Sequence, residues 1–326
     1  MTITESEVAI GAWVWHESRP EMSSSLFGNS VRTVADPFHS PTGGHRVYKG
    51  STVGVVVPAH NEEGFIGEVV DSLPEYVDQV FVIDDCSTDG TWTEIKEYVD
   101  TEVKHASVTG DSAQQIVVAD GAGTTVSESQ TFLDKRIVPV RHQTNGGRGA
   151  AVQTGYELAL MSGMDTVAVL DGDGQMDPNI LDEILDPVVE GDADYAKGNR
   201  LISRRHCTQM SNWRLFGNAL LTMLTKIASG HWQMRDPQNG YTAISATALD
   251  QLSLNDLFDD YGFLNDMLIH LDANGMTVQD VPMEALYGDE SSGIRYGSFI
   301  PKLSILLLRG YVWRLQQKYL SRTESE

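Results

Sequence analysis

The sequence predicts an α/β fold built on a mostly parallel sheet with helices on its faces. Three observations predict it. Short runs rich in β-branched residues recur between residues 51 and 200. The stretches that follow them place apolar residues at helical spacing. Strand and helix patterns then alternate without interruption, which is the order a parallel sheet with crossover helices requires. No internal repeat is present.

The elements follow in order. "VGVVV" at 53–57 is a strand by its valines, and Asn61 is placed to cap the next helix, where Ile66, Val69, Val70 and Leu73 share one face. "QVFVIDD" at 79–85 is a second buried strand, and "CSTDGT" at 86–91 turns into a helix bearing Trp92, Ile95 and Val99. Residues 104–130, rich in Gly, Ser, Thr, Ala and Gln, read as a surface insertion with a hairpin around "QQIVVADGAGTT". "RIVPV" at 136–140 is the next strand, and "NGGRGAA" at 145–151 opens a helix with Val152, Tyr156, Ala159 and Leu160 inward. "TVAVL" at 166–170 leads into an acidic turn, after which Asp177 caps a helix with Pro178 in its first turn. Residues 1–50 show no clear period and read as an N-terminal extension.

The chain of 326 residues holds 46 acidic and 23 basic residues, a net charge of −23. Such an excess disfavours nucleic acid as a partner and resembles the acidic surfaces of proteins from high-salt cytoplasms. The two cysteines fit a reducing compartment, and neither a signal peptide nor a membrane-spanning run is predicted. The basic residues are segregated. Tyr195 to Arg235 contains seven and no acid; Ser291 to Arg322 contains six and no acid. Both windows carry bulky apolar residues, as in "NWRLFGNALLTMLTKIA" at 212–228 and "SFIPKLSILLLRGYVWRLQQKYL" at 298–320. Basic amphipathic helices of this kind suit the plane of a membrane interface; two core helices or an oligomer interface are the alternatives.

"VLDGDGQMDP" at 169–178 carries the chemistry. Asp171 and Asp173 lie at the carboxyl end of a buried strand, where open parallel sheets bind ligands. Two carboxylates on a glycine-flexed turn repel unless a cation is near, and oxygen donors, Gln175 included, favour Mg²⁺ or Mn²⁺. A polar turn with capping aspartates is the plain alternative. The spacing G-x-G-x-x-G is absent after the first strand, which reads "PAHNEE", and this counts against NAD.

Taken together, "VVVPAHNEEGFIGEVV", "VFVIDDCSTDGT", "NGGRGAA" and "VLDGDGQMDP", in order and on successive strand ends, resemble glycosyltransferase family 2. The branch they resemble is the dolichol-phosphate (polyprenol-phosphate) hexosyltransferases. The resemblance covers residues 51–290 and implies the GT-A nucleotide-diphospho-sugar transferase fold, Rossmann-like, followed at 291–326 by a basic amphipathic helical segment. It implies a nucleotide-sugar pocket lined by Pro58, His60, Glu62, Asp85, Gly147, Arg148 and Asp171, with Asp85 accepting a hydrogen bond from the base. His60 departs from the Tyr common in the family. "NGGRGAA" matches N-x-G-(K/R)-G-x-A, whose glycines let main-chain N–H groups approach a diphosphate at a helix N-terminus. Asp171, Asp173 and Gln175 correspond to the metal site. "AKGNR" at 196–200 places Arg200, together with Arg214 and Arg295, among the basic residues for an acceptor phosphate. "DPQNGYTAIS" at 236–245 resembles the D-x-x-S/N-G-F/Y segment of the family. "YGFLNDMLIHL" at 261–271 sets Asp266 at the position of a catalytic acid, with Asn265 where an acid is usual; His231 and His270 have no ligand-spaced partner.

The implied activity is inverting, metal-dependent transfer of a hexose from UDP- or GDP-hexose to polyprenyl or dolichyl phosphate by a cytoplasmic protein held on the cytoplasmic face of the membrane. The catalytic set is Asp171, Asp173, Asp266 and Arg200. Three alternatives stand beside it. One is transfer to a hydroxyl of a lipid-linked sugar, polysaccharide or small soluble acceptor. Another is a non-catalytic nucleotide-sugar-binding module. The third, a sugar-1-phosphate nucleotidyltransferase, lacks its Gly-rich, Arg-Lys-containing loop here.

Overall fold

The computed structural model describes residues 47–106, 117–119, 136–200, 212–260, 262–283 and 296–319. The chain divides into Met1–Gly44 and His45–Glu326, and the first unit lies outside the described residues. The second unit is an α/β sheet whose strands stand in the order β3-β4-β2-β1-β5-β7-β6-β8. These are β1 Val53–Ala59, β2 Gln79–Asp84, β3 Val117–Ala119, β4 Ile137–His142, β5 Thr166–Val169, β6 Tyr195–Asn199, β7 Thr242–Ser245 and β8 Val278–Pro282. The helices are α1 Ile66–Ser72, α2 Thr91–Ala106, α3 Arg148–Met161, α4 Leu181–Val189, α5 Asn212–Ser229, α6 Ala246–Gln251, α7 Phe263–Ala273 and α8 Tyr296–Tyr319.

Strands β1 to β5 pair in parallel, as the alternating pattern predicts. Strand β1 is buried along its whole length, and its side chains alternate between two apolar layers. Val56 joins Phe81, Tyr156, Leu158 and Leu268 on one face. Val55 and Val57 join Val80, Val82, Leu181 and Leu185 on the other. A sheet covered on both faces needs valines at every position, which is why the strand reads as a continuous run. Ile66, Val69, Val70 and Leu73 are buried together, as are Trp92, Ile95 and Val99.

Two readings change. Residues 117–119 form a parallel edge strand on β4 rather than a hairpin arm, and residues 104–106 end α2; residues 107–116 and 120–130 lie outside the described residues. Asn61 does not cap a helix. It takes a left-handed conformation at φ 60°, its side-chain oxygen accepts from Thr88 N–H at 2.8 Å, and α1 begins only at Ile66. The main-chain N–H groups of Gly64 and Gly67, at the start of α1, donate instead to Glu94 on α2. The sheet is mostly parallel, as the sequence predicts, with β7 inserted antiparallel between β5 and β6. Asp177 does cap the turn that follows, receiving Asn179 N–H at 2.9 Å, and Pro178 opens a 3-10 turn ahead of α4.

Helices α5, α7 and α8 pack around Ala228, Ile269, Leu303 and Leu307. The two long C-terminal helices are therefore partly core. Each also leaves an apolar face uncovered: Leu220, Met223 and Leu224 on α5, and Ile305, Leu308 and Val312 on α8. Among the described residues no helix is long and apolar enough to cross a membrane.

Candidate active site

Strand order reverses direction on either side of β1, and the carboxyl ends of β1, β2, β4 and β5 meet there. Such a switch point is where open α/β sheets bind ligands. Each motif of the sequence lands on one of these ends. Pro58 is buried within β1, and its carbonyl accepts from Gly172 N–H at 3.2 Å, fastening the acidic turn to the neighbouring strand. A Cβ at Gly172 would meet Ile66 at 3.0 Å and that same Pro58 carbonyl at 3.2 Å, so this position tolerates only glycine comfortably.

The glycine-rich loop is held from below by Asp85. Gly146 N–H and Gly147 N–H donate to its two oxygens at 2.9 and 2.7 Å, and His142 Nδ1 lies 2.8 Å from Oδ1. Burial alone would raise the Asp85 carboxyl; the bonds from His142, Gly146 and Gly147 outweigh it and hold it below the usual carboxylate range. The other imidazole nitrogen of His142 lies 3.0 Å from Thr154 Oγ1. Asp85 is thus tied to the glycine-rich loop and to His142, at the strand end where the resemblance expects the base. His60 is exposed above it, with Nδ1 2.8 Å from the Asp85 carbonyl and Nε2 3.1 Å from the Asn145 amide. Glu62 sits at the β1–α1 turn, its N–H donating to Thr91 Oγ1 at 2.8 Å.

Gly147 caps α3 at φ 91°, a conformation that excludes most side chains. The glycines serve a second purpose that sequence reasoning missed. A Cβ on Gly149 would lie within 2.6 Å of the Asp259 carbonyl, which accepts from Ala150 N–H at 3.0 Å. The segment before α7 therefore lies directly on the N-terminus of α3.

Arg148 and Asp171 are brought together. The guanidinium donates through Nε at 2.8 Å to Asp171 Oδ1, with Nη2 at 2.7 Å, and Nη2 also reaches the Gly240 carbonyl at 3.2 Å. Asp173 is half-buried two residues on, its Oδ1 accepting from Gln175 N–H at 3.0 Å. Among the described residues no group of three or more His, Cys, Asp or Glu side chains is arranged to hold a metal ion.

At the end of β6, Arg200 meets Asp236. Nε donates to Oδ2 at 2.8 Å, Nη2 to Oδ1 at 3.2 Å, and the Arg200 main-chain N–H to Oδ2 at 3.2 Å. The Arg200 side chain is 37% exposed and that of Asp236 6%. Lys197, fully buried in β6, donates to the Asp236 carbonyl. Burial pushes the Lys197 ammonium down to about 8, against the pull of Asp236 and Asp280. Asp236 entered the sequence reading only as part of a family segment; its pairing spans 36 residues, so no local pattern announces it. Arg214 falls in the first turn of α5, and Arg295 lies outside the described residues.

Asp266 sits in the first turn of α7 and is 6% exposed. It accepts from Phe258 N–H at 3.0 Å, and burial pushes its carboxyl up to about 6. Its neighbour Asn265 accepts from Thr225 Oγ1 at 2.9 Å and Gln238 Nε2 at 2.8 Å. His270 stacks on Trp313, and its Nε2 lies 3.8 Å from Asp266 Oδ2, one helical turn away.

A parallel nucleotide-type switch point with an acidic turn beside a glycine-rich helix start defines an α/β transferase of the GT-A kind. The family described as Glycosyl transferase family 2 matches residues 54–109 and 105–253, more than half of the chain. The chain belongs to that family and is a glycosyltransferase. It is 26% identical over 238 residues, 73% of this chain and 86% of the other, to the UDP-N-acetylglucosamine–dolichyl-phosphate N-acetylglucosaminyltransferase of Methanococcus voltae. It is likewise 26% identical over 238 residues, 70% of this chain and 75% of the other, to the polyprenol monophosphomannose synthase of Mycolicibacterium smegmatis. In fold it is similar to glucosyl-3-phosphoglycerate synthase from Mycobacterium tuberculosis, solved with Mn²⁺, UDP and phosphoglyceric acid. There the TM-score is 0.51 at 18% identity, covering 81% of this chain and 78% of that one.

Proposed function

We propose that this protein moves a hexose from UDP- or GDP-hexose to dolichyl or polyprenyl phosphate, with inversion, at the cytoplasmic face of the cell membrane. The observation that carries the proposal is the placement of Arg200. Its guanidinium is held at the end of β6 by Asp236, and the same short segment reaches the Arg148–Asp171 pair through Gly240. A fixed cation thus belongs to one connected network with the acidic turn.

The chemistry follows from the acceptor. The bond from the sugar C1 to the diphosphate breaks, and a phosphate oxygen of the acceptor bonds to C1 from the opposite face. The nucleoside diphosphate departs with the bonding pair. A phosphate monoester has its second pKa at about 6, so near neutrality it is already largely dianionic and has no proton to surrender. It needs cations to place it, and Arg200, with Arg214 and Arg295, takes that role. His60, Asn145 and the loop seated on Asp85 border the nucleotide.

The acidic turn fits a hard divalent ion. It offers only oxygen donors, from Asp173, Gln175 and the Asp171 oxygen not paired with Arg148. Mg²⁺ and Mn²⁺ sites of this kind take one or two carboxylates and fill the remaining positions with substrate oxygens. Bound there, such an ion neutralises charge on the departing diphosphate. The uncovered apolar faces of α5 and α8, with exposed Arg309 on the latter, support a place in the membrane interface.

A hydroxyl acceptor is the second reading. The raised Asp266 carboxyl favours it, since a base poised near neutrality is what a hydroxyl requires. The test is incubation with Mn²⁺, labelled UDP-glucose, UDP-N-acetylglucosamine or GDP-mannose, and dolichyl phosphate. Label is expected in an acid-labile lipid product. Label that reaches only water or a sugar hydroxyl defeats the proposal.

A further inference from the structure

The segment "DPQNG" at 236–240 touches three parts of the site through different residues. Asp236 clamps Arg200 through three hydrogen bonds. Gln238 donates to Asn265, beside Asp266, at 2.8 Å. The Gly240 carbonyl receives Arg148 Nη2 at 3.2 Å. A Cβ on Gly240 would collide with that guanidinium and come within 2.9 Å of Asp171 Oδ2. The segment is itself tied down. Lys197 donates to the Asp236 carbonyl from inside β6, and Asn239 Oδ1 receives Tyr241 N–H at 3.0 Å. Gly198 leaves room for the Asn239 amide, which a Cβ there would meet at 2.6 Å.

We infer that residues 236–240 form a positioning template that sets the donor and acceptor halves of the site relative to each other, with Asp236 orienting Arg200 and Gly240 admitting the Arg148–Asp171 pair. The Arg200 side chain is 37% exposed and has many rotamers to lose on binding an anion. A bidentate carboxylate fixes the plane and direction of the guanidinium beforehand, so an anion arriving at its exposed part meets an ordered group. Asp236 touches no reacting atom in this scheme; it is a positioning residue acting through Arg200. Gly240 acts on the other half by steric allowance alone. The inference rests on the reading of Arg200 as the acceptor's cation.

The test uses the full chain and the donor selected above. Transfer to dolichyl phosphate is measured for Arg200→Ala, Asp236→Asn, their double variant and Gly240→Ala. Binding of UDP or GDP with Mn²⁺ by calorimetry reads the donor half without transfer. Asp236→Asn is expected to raise the KM for dolichyl phosphate by about ten-fold, leave nucleotide affinity within about two-fold, and add nothing to Arg200→Ala. Gly240→Ala is expected to weaken nucleotide binding and leave the KM for dolichyl phosphate unchanged. Asp236→Glu, which keeps the charge but displaces the fork by a methylene, is expected to follow Asp236→Asn, and thermal unfolding identifies any variant that fails to fold. Additive losses from Asp236→Asn and Arg200→Ala, or equal losses of nucleotide and acceptor, would overturn the inference. An Arg200→Ala variant with ordinary KM would instead sink the acceptor reading itself, so the two failures are distinct.

Discussion

Asp85, under the glycine-rich loop, directs its oxygens to two main-chain N–H groups and an imidazole, whereas Asp236, across the sheet, directs its own chiefly to a guanidinium and to the main-chain N–H of the same Arg200. Both are buried aspartates next to strand ends, and both fix something at the site. The proposed donor side is organised through main-chain dipoles, whose positions follow from the backbone and cannot swing away. The proposed acceptor side is organised through long charged side chains, which need a second charge to hold them. The difference matches the ligands proposed for each side. A diphosphate attached to a nucleoside has a fixed length and shape. A phosphate at the end of a lipid is reached from the membrane side, and a guanidinium already oriented by a carboxylate offers it fixed donors.

The hardest test of this division strikes the donor side. Asp173→Ala removes a half-buried carboxylate from a turn outside both apolar layers, so the fold is expected to persist, which thermal unfolding checks. Transfer is expected to fall by about 10²–10³-fold or more, the scale on which transition-state charge stabilisation is lost when one group is removed. Excess chelator is expected to mimic the variant. Undiminished transfer in chelator would take the metal out of the scheme and leave Arg148 as the donor side's only cation from the motif.

A second test compares the sides directly. With dolichyl phosphate as acceptor, Arg200→Ala is expected to lose more activity at saturating donor than Asp266→Asn, because a dianion needs placing and not deprotonating. Loss of a general base costs about 10²–10⁴-fold for a hydroxyl nucleophile. Asp266→Asn falling by that factor, with Arg200→Ala near wild type, would give the acceptor side to a hydroxyl.

Much of the donor side is legible in the sequence because its motifs are local. Each lies at the end of a strand whose valines announce it, and Asp177 with Pro178 marks the turn beyond. What the sequence does not show is which groups meet. Arg148 and Asp171 are 23 residues apart, Arg200 and Asp236 36 apart, and their pairing depends on sheet order alone. Strand β7 is four residues long, too short for a period to fix its direction, and it runs antiparallel. The glycines of the loop are read as room for a diphosphate, and Gly149 in this structure admits the carbonyls of Phe258 and Asp259. Composition identifies a need for space without naming the occupant.

A third test addresses the acceptor side's approach to lipid. Deleting α8 would also remove Leu303 and Leu307 from the core, so substitution at exposed positions is the cleaner perturbation. Ile305→Glu with Leu308→Glu, at side chains 58% and 64% exposed, is expected to leave thermal stability nearly unchanged. Sedimentation with vesicles containing anionic lipid is expected to drop by about ten-fold or more, given the cost of placing a charge at an apolar interface. Equal sedimentation of both proteins at matched salt would assign these faces to something other than membrane.

The smallest expected effect concerns Asp266, and it tests whether burial alone accounts for that residue. Its carboxyl is raised from 3.8 to about 6, chiefly by burial, with Asp256 adding to the rise and Arg309 and the Phe258 N–H opposing it. A carboxyl raised on folding binds its proton more tightly in the folded state. Between about pH 4 and pH 6 the folded protein therefore holds a proton that the unfolded chain has lost, and stability falls as pH rises through that window. Above it the penalty is constant, at about 1.4 kcal/mol for each tenfold gain in proton affinity on folding. Asp266→Asn does not titrate, keeps an oxygen for the Phe258 N–H, and escapes the penalty. Its melting temperature relative to wild type is thus expected to be several degrees more favourable at pH 7 than at pH 4. His270, 3.8 Å away, faces a carboxylate in one protein and an amide in the other, so the comparison is made in a His270→Gln background, where that coupling is absent. A difference independent of pH would mean that Asp266 ionises as freely in the folded protein as in the unfolded chain. The residue would then lose the raised pKa that makes it a candidate base, and the hydroxyl-acceptor reading would lose its best support.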